Sequence, residues 1–417
     1  MLVWKQGISF FFISFHEGSN LLIRTAGRSD FFASSQVSVV GGSVAGLLAA
    51  REIAHSGIEV QVFEEHREIG VPEKCDGLVS SRGISELGLV PPFSVVQNRL
   101  EKAILFSPSM KEIKIDARKQ KVIVLDRSRF DKYLAEEAAK AGAILHVGTR
   151  ISGYEQESNE NLVRFRIDSQ ELNSEYLIDA SGYESYIRSG GKTIQGAQYL
   201  VYGSWFNKST VEVYIDPVVS PSFFTWVIPI SHDLAKIGIG GEGINTFKAL
   251  DKFAESKKAA IIRKMAAPIV CFGLVKEFVK GRLIRVGDAA GQVKPTTGGG
   301  IFTGGYGGLL AGRAVAQSIK ENSPDLLREQ YESAWRRRFA REFALQSRAR
   351  NIVSKLSRDQ VDKLFEIVGS SDVPRRISEE SDFDLHSTAF AKVLGYSNVA
   401  TILGIVITNE LRSLFGL

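Results

Sequence analysis

The sequence predicts an α/β protein in which a Rossmann-like nucleotide-binding domain is interleaved with an antiparallel-sheet domain and followed by a C-terminal helical region. Three observations predict it. Residues 37–65 (VSVVGGSVAGLLAAREIAHSGIEVQVFEE) read as strand, tight turn, helix and strand. Residues 101–125 alternate apolar and polar, as half-buried antiparallel strands do, and 199–242 carry several further strand-like stretches. A glycine-rich segment far downstream, GRLIRVGDAAGQVKPTTGGGIFTGG (281–305), brings a second nucleotide-type turn onto the start of a helix.

Composition narrows the class. The chain has 417 residues, 44% hydrophobic and 24% charged, which suits two or three folded domains. A net charge of +5 favours phosphates, whether of a nucleotide, a nucleic acid or an anionic membrane, without choosing among them. Cys75 and Cys271 have neither metal-ligand spacing nor a disulfide framework, which suits a reducing, cytoplasmic setting and no metal. No apolar run is long enough to span a bilayer. The first 36 residues carry ISFFFISF (8–15), too short to span and lacking a small-residue cleavage site. Three readings stay open for them: an extension outside the fold, an amphipathic membrane contact, or a signal peptide.

Taken in order, Val37, Val39 and Val40 form a buried strand, Gly41 to Gly46 the turn, and Leu47 to His55 a helix. Gly41, Gly42, Ser43, Ala45 and Gly46 form the candidate phosphate turn, and Glu64, with Glu65 after it, ends the second strand. A carboxylate there suits a free ribose 2′-hydroxyl, as in FAD or NAD, and disfavours NADP. The loop from residue 67 carries Lys74, Cys75, Asp76 and Gly77 before a short helix from about Ser80. A lone cysteine is either apolar filler or, in such a polar loop, a reactive group.

Residues 125–151 predict a charged helix closed by Gly142 and then a strand, with Arg127 at the helix start as a candidate neighbour of the nucleotide. Residues 152–178 read as a hairpin turning at SNEN (158–161), and a strand ends in Asp179, Ala180, Ser181 and Gly182. In PSFFTWVIP (221–229), alternation puts Phe224, Trp226 and Ile228 on one face, as core or as the lining of an apolar channel. The downstream turn supplies Gly287, Asp288, Pro295, Gly298, Gly299, Gly300 and Ile301. Residues 325–368 are helical and basic (Arg336, Arg337, Arg338, Arg341), most simply a solvated face, and 400–417 is an apolar helix or strand.

These parts together resemble the FAD-dependent geranylgeranyl reductase family, within the class built like para-hydroxybenzoate hydroxylase. Four segments carry the resemblance: Gly41 to Glu64, KCDG (74–77), PSFFTWVIP (221–229) and VGDAAGQVKPTTGGGI (286–301). It implies an FAD-binding domain made of residues 37–100, 126–190 and 276–324, a substrate domain made of 101–125 and 191–275, and a helical region over 325–417, with 1–36 outside the fold. It also implies that the cysteine loop lies at the flavin. Phe224, Trp226, Ile228 and Pro229 would face an isoprenoid cavity, Asp288 would serve the ribityl chain, and Arg127 would stand near the cofactor, as would Ala180 and Gly182. The chain departs from the family pattern at Ser43 (usually Gly), Phe224 (usually Tyr), Ile228 (usually Phe) and Asp76 (usually Gly).

FxWxIP is also similar to a motif of flavin-dependent halogenases, and the class contains aromatic monooxygenases, so an aromatic hydroxylation or halogenation is the alternative. Against it, Lys74 is followed by Cys75, Asp76 and Gly77 rather than Gly, Glu and Ser, and Ser181-Gly182 stands where an Asp-Gly pair is usual. Hydride addition to an isolated alkene needs a proton source in a dry, apolar tunnel. A free thiol keeps its proton at neutral pH, which makes Cys75 the expected donor. The partners expected are an isoprenoid lipid, an external electron donor (a ferredoxin-like protein or NAD(P)H) and a membrane surface met peripherally, with no nucleic acid.

Overall fold

A computed structural model describes residues 35–156 and 161–385. The expectations for residues 1–34, for most of the turn at 158–161 and for the apolar stretch 400–417 lie outside the described residues.

The first strand, Ser35–Val40, occupies the middle of an eight-stranded sheet. It pairs in parallel with Val60–Glu64 on one side and Gln170–Asp179 on the other, with Ile144–Val147 and Leu283–Arg285 beyond them, also parallel. Such strands are covered on both faces, and Val37, Val39, Val60 and Val62 are accordingly fully buried. The expected hairpin over 152–178 is instead three strands. Ile151–Glu155 pairs with Val163–Ile167, which pairs with the first half of Gln170–Asp179 after a reversal at Asp168, whose φ is +52°. The last strand is long because its second half must also join the parallel core.

Helix Val44–His55 packs along helix Ile301–Glu321, whose contact face is stripped of side chains. A Cβ on Gly308 would lie 2.1 Å from the carbonyl oxygen of Ala45, and one on Gly312 would lie 2.5 Å from that of Ala49. The near-contact of backbones brings the two helix N-termini to the same end of the parallel sheet.

The second sheet has seven strands in the order Ala260–Val270, Thr193–Tyr202, Leu234–Gly241, Thr225–Pro229, Thr210–Tyr214, Lys102–Phe106, Glu112–Asp116. It is antiparallel except where Thr210–Tyr214 runs parallel to Lys102–Phe106. One face carries Val227, Ile237 and Ile239 against Leu250 and Ala254 of helix Thr246–Ser256. The other carries Phe223, Trp226 and Ile228. The strand Val122–Leu125, expected with the substrate domain, lies elsewhere: it is the middle of a three-stranded sheet between Leu78–Ser80 and Val96–Leu100. Its four residues are all buried, so it is a central strand and not a half-exposed one.

The C-terminal region is helical, as expected, through Ala334–Val353, Arg358–Gly369 and Val373–Glu380. Its basic run is not simply a solvated face. Arg336 donates to Glu332 and to the carbonyls of Val275 and Lys276, and Arg338 pairs with Glu86 while its guanidinium lies 4.4 Å from the centroid of the Tyr306 ring. The run fastens the helix to the parallel-sheet domain. Among the described residues no helix is long and apolar enough to cross a membrane, and no group of His, Cys, Asp and Glu is placed to hold a metal ion.

Candidate active site

A cavity of about 1070 Å³ lies between the parallel sheet and the seven-stranded sheet. The turn after the first strand reaches it because Gly41 has a φ of +103° and its missing Cβ would lie 2.4 Å from the carbonyl oxygen of Ala180. Glu64 then ties the turn down: its carboxylate accepts the backbone N–H of Gly42 at 2.8 Å and that of His66 at 2.9 Å. On the other side of the first strand, fully buried Asp179 accepts from the Ser181 N–H (3.0 Å) and hydroxyl (2.6 Å), and from Tyr154 and Ser185. That network fixes the Ala180–Gly182 turn at the cavity wall.

Two helices begin at this wall without a side-chain cap, Val44–His55 after Ser43 and Ile301–Glu321 after Gly300. Their first N–H groups have no acceptor within their own helices, which makes each end a site for negative charge. Beside them Asp288 is exposed to the cavity with no hydrogen-bond partner among the described residues, and enclosure by the cavity walls raises its carboxyl pKa while Arg127 opposes the rise. Arg127 itself donates to both oxygens of Asp131 (2.9 and 3.0 Å) and to the hydroxyl of Ser43 (3.3 Å). Burial works against its charge, but Asp131 and Cys75 beside it raise its pKa above the usual value.

Gly42, Ser43, Ala45, Glu65, Lys74, Gly77, Gly182, Gly287, Gly298, Gly299, Gly300 and Ile301 line the same cavity. Gly298 has a φ of +70°, and a Cβ there would meet Ile269 at 2.8 Å. Three expected residues do not line it. Gly46 is a packing residue, since a Cβ on it would lie 2.1 Å from the carbonyl oxygen of Gly41. Pro295 is buried behind the turn, and Pro229 ends its strand away from the cavity with its carbonyl accepting from Asn98 at 2.8 Å.

The opposite wall is aromatic. Phe224, Trp226 and Ile228 face the cavity as alternation requires, and Phe223 joins them. Phe223 stacks on Phe224 with ring centroids 4.2 Å apart, and the tilted Trp226 ring stands 5.6 Å from Phe224. Sequence alternation put Phe223 on the other face. It lies ahead of the strand, after Ser222 at φ +62°, where strand periodicity does not apply.

Between the walls runs the loop 73–77, with Cys75 and Asp76 both at the cavity surface. Lys236, 1% exposed in the seven-stranded sheet, holds it: its Nζ donates to Glu73 Oε1 at 2.7 Å and to the Asp76 carbonyl at 3.1 Å, while Arg263 closes on the other Glu73 oxygen at 2.7 Å. Although burial raises the Glu73 carboxyl, Lys236 and Arg263 hold it below its usual pKa. Burial pushes the Asp76 carboxyl up to about 6, against the pull of Lys236 and the Trp226 indole and with a contribution from Glu73. The indole stops short of a hydrogen bond: Asp76 Oδ1 and Trp226 Nε1 are both buried without a hydrogen-bond partner.

Lys294 was not singled out in the sequence. It is buried in the cavity wall, donates to the Phe383 carbonyl at 3.0 Å and lies 3.8 Å from Asp384. Burial lowers its pKa, with Asp384 opposing. Phe383 also lines the cavity, a contribution from the C-terminal region that no local pattern announces.

Two open helix N-termini, a side-chain-free cradle and a carboxylate ending the second strand fit a dinucleotide, and the fold and site define a flavoenzyme that binds FAD. A family profile described as an FAD binding domain matches residues 34–238. The chain is 32% identical over 359 residues to the digeranylgeranylglycerophospholipid reductase of Methanocaldococcus jannaschii, covering 80% of this chain and 90% of that protein. It is 27% identical to digeranylgeranylglycerophospholipid reductase 2 of Methanopyrus kandleri, covering 82% and 93% respectively. A geranylgeranyl bacteriochlorophyll reductase-like structure from Thermoplasma acidophilum superposes with a TM-score of 0.78 at 27% identity, covering 90% of this chain and all of that one (100%). A flavin-dependent brominase superposes with a TM-score of 0.62 at 17% identity and shares the fold. The chain belongs to the FAD-dependent geranylgeranyl reductase family, oxidoreductases acting on carbon–carbon double bonds.

Proposed function

We propose that this enzyme saturates isolated double bonds of geranylgeranyl chains, carried by an archaeal-type ether phospholipid or as geranylgeranyl diphosphate, with Cys75 as proton donor. The observation that carries this reading is one cavity lined by the Cys75 loop, the Gly298–Gly300 cradle and the Phe223, Phe224, Trp226, Ile228 wall. The residues suited to hold FAD are Gly41 to Ser43 and Ala45, Glu64 and Glu65, Lys74 to Gly77, Arg127, Ala180, Gly182, Gly287, Asp288 and Gly298 to Ile301. When bound and reduced, FAD supplies the hydride.

The chain's own residues do the rest. An isolated trisubstituted alkene accepts hydride only if a proton reaches the other carbon first or together with it. The Cys75 S–H bond breaks to deliver that proton, and the thiolate left behind is stabilised by the Arg127 guanidinium, whose charge its neighbours maintain. The aromatic wall excludes water, and its ring faces favour positive charge developing on the alkene. An external donor, a ferredoxin-like protein or NAD(P)H, would re-reduce the cofactor. A chain bearing a phosphate head also calls for contact with a membrane surface, which the net charge of +5 favours.

Dithionite-reduced enzyme incubated anaerobically with a geranylgeranyl lipid should raise the lipid's mass in steps of two hydrogens. Cys75→Ala should keep its flavin and lose about 100-fold in rate. An unchanged lipid mass, or oxygen uptake coupled to hydroxylation or halogenation of an aromatic, would replace this reading with the monooxygenase or halogenase alternative.

A further inference from the structure

Asp76 stands in the loop suited to hold FAD, yet its carboxyl group has no part in the reduction proposed above. It follows Cys75 directly, reaches the same cavity, and presents a buried Oδ1 with no hydrogen-bond partner, next to an equally unpartnered Trp226 Nε1. Unpaired buried polar atoms are costly and are seldom retained without a role. The structure also shows why the loop holds still: Lys236 grips the Asp76 carbonyl and Glu73 from below.

We propose that Asp76 is the proton relay of the site, returning to Cys75 the proton that the thiol gives up at each reduction. The inference rests on the alkene-reducing reading above. After a reduction the site holds a thiolate, and the next double bond of the chain cannot be protonated until that sulfur is reloaded. In a cavity walled by Phe223, Phe224, Trp226 and Ile228, water is a poor source. The carboxylic acid next in the chain supplies the proton: its O–H bond breaks, the S–H bond forms, and the carboxylate left behind is stabilised by Lys236 until it takes a proton from solvent. No electrons move in this step.

The groups facing Asp76 set its titration. They are Lys236 from the strand Leu234–Gly241, Trp226 from Thr225–Pro229, and Glu73 from its own loop, with Arg263 of Ala260–Val270 behind Glu73. A carboxyl raised to about 6 keeps a useful protonated fraction near neutrality, whereas an ordinary aspartate would not.

The test uses the FAD-loaded full chain and geranylgeranyl diphosphate, comparing wild type with Asp76→Asn and Asp76→Glu. Asn, which keeps the loop backbone, should retain the flavin, slow the first saturation less than the later ones, and lose about 10-fold or more in steady state. Wild-type steady-state rate should fall as pH rises through about 6, the profile of Asn should be flat over that range, and Glu should restore much of the rate. An infrared carboxylic-acid band that titrates in the same range should vanish in Asn. A steady-state rate for Asn equal to wild type, or a first saturation slowed as much as the later ones, overturns the relay while leaving the reductase reading standing. Wild type that saturates nothing overturns both.

Discussion

On the parallel-sheet side, the cavity wall is backbone: Gly41, Gly42, the Ala180–Gly182 turn and Gly298 to Gly300, with Asp288 as the open carboxylate. On the seven-stranded-sheet side it is rings: Phe223, Phe224 and Trp226, backed by a sheet whose other face is ordinary core. The first wall recognises by what is missing, so a single methyl group is too much. The second, on the reading proposed above, would recognise by bulk, so one ring of several can change at moderate cost. A charged triad, Glu73 with Lys236 and Arg263, joins the two by tying the cysteine loop of the first to the strands of the second.

Four substitutions test that contrast, in falling order of effect. Gly41→Ala must place a Cβ 2.4 Å from the Ala180 carbonyl in a backbone conformation that disfavours it. It should purify without flavin absorbance and lose about 3 kcal/mol or more of stability; a yellow, stable variant would break the account of the backbone wall. Lys236→Met leaves the Glu73 carboxylate with Arg263 as its remaining cationic partner, beside the Arg127 backbone N–H at 3.4 Å, and should cost about 3 kcal/mol at neutral pH by thermal or denaturant unfolding. Its pH dependence has a definite sign. The Glu73 carboxyl is depressed in the folded protein, so its contribution is present above the ordinary carboxylate range and is lost as pH falls through the folded value. The gap between wild type and Lys236→Met should therefore narrow in acid, and a gap that widens there would refute the pairing.

Trp226→Phe keeps an aromatic face and should retain FAD. The KM for a long prenyl substrate should rise a few-fold, by roughly 1 kcal/mol, with kcat changed less. Equal losses in kcat and kcat/KM would say that the ring acts on the reaction and not on the chain. Asp126→Ala removes the cap of helix Arg127–Ala141, whose carboxylate accepts the Arg129 N–H at 3.0 Å. The cost should be about 1 kcal/mol in stability with the flavin still bound; loss of flavin would mean that the cap, and not Asp131, holds Arg127 in place.

The two walls were legible in the sequence to different degrees. Gly41 to Glu64 and Gly287 to Gly300 could be read because the turn chemistry is local: a strand, a positive-φ glycine and a helix start occupy adjacent residues. The ring wall was half legible. Trp226 and Ile228 obey strand alternation, while Phe223 sits in the turn ahead of the strand and escapes it. The triad was not legible at all, because Glu73, Lys236 and Arg263 lie on three separate segments and each looks like an ordinary solvated charge until the sheets close. Lys294 and Phe383 were hidden for the same reason.

By itself the sequence determined that this chain builds a nucleotide cradle at the ends of parallel strands, since glycine placement and helix onset are local backbone physics. Only the tertiary structure decided that Cys75 and Asp76 would share one cavity with the aromatic strand, that Val122–Leu125 would leave the large sheet, and that Lys236 would lie buried under the loop. Those are outcomes of long-range packing, in which a residue's environment is set by segments far away in the chain.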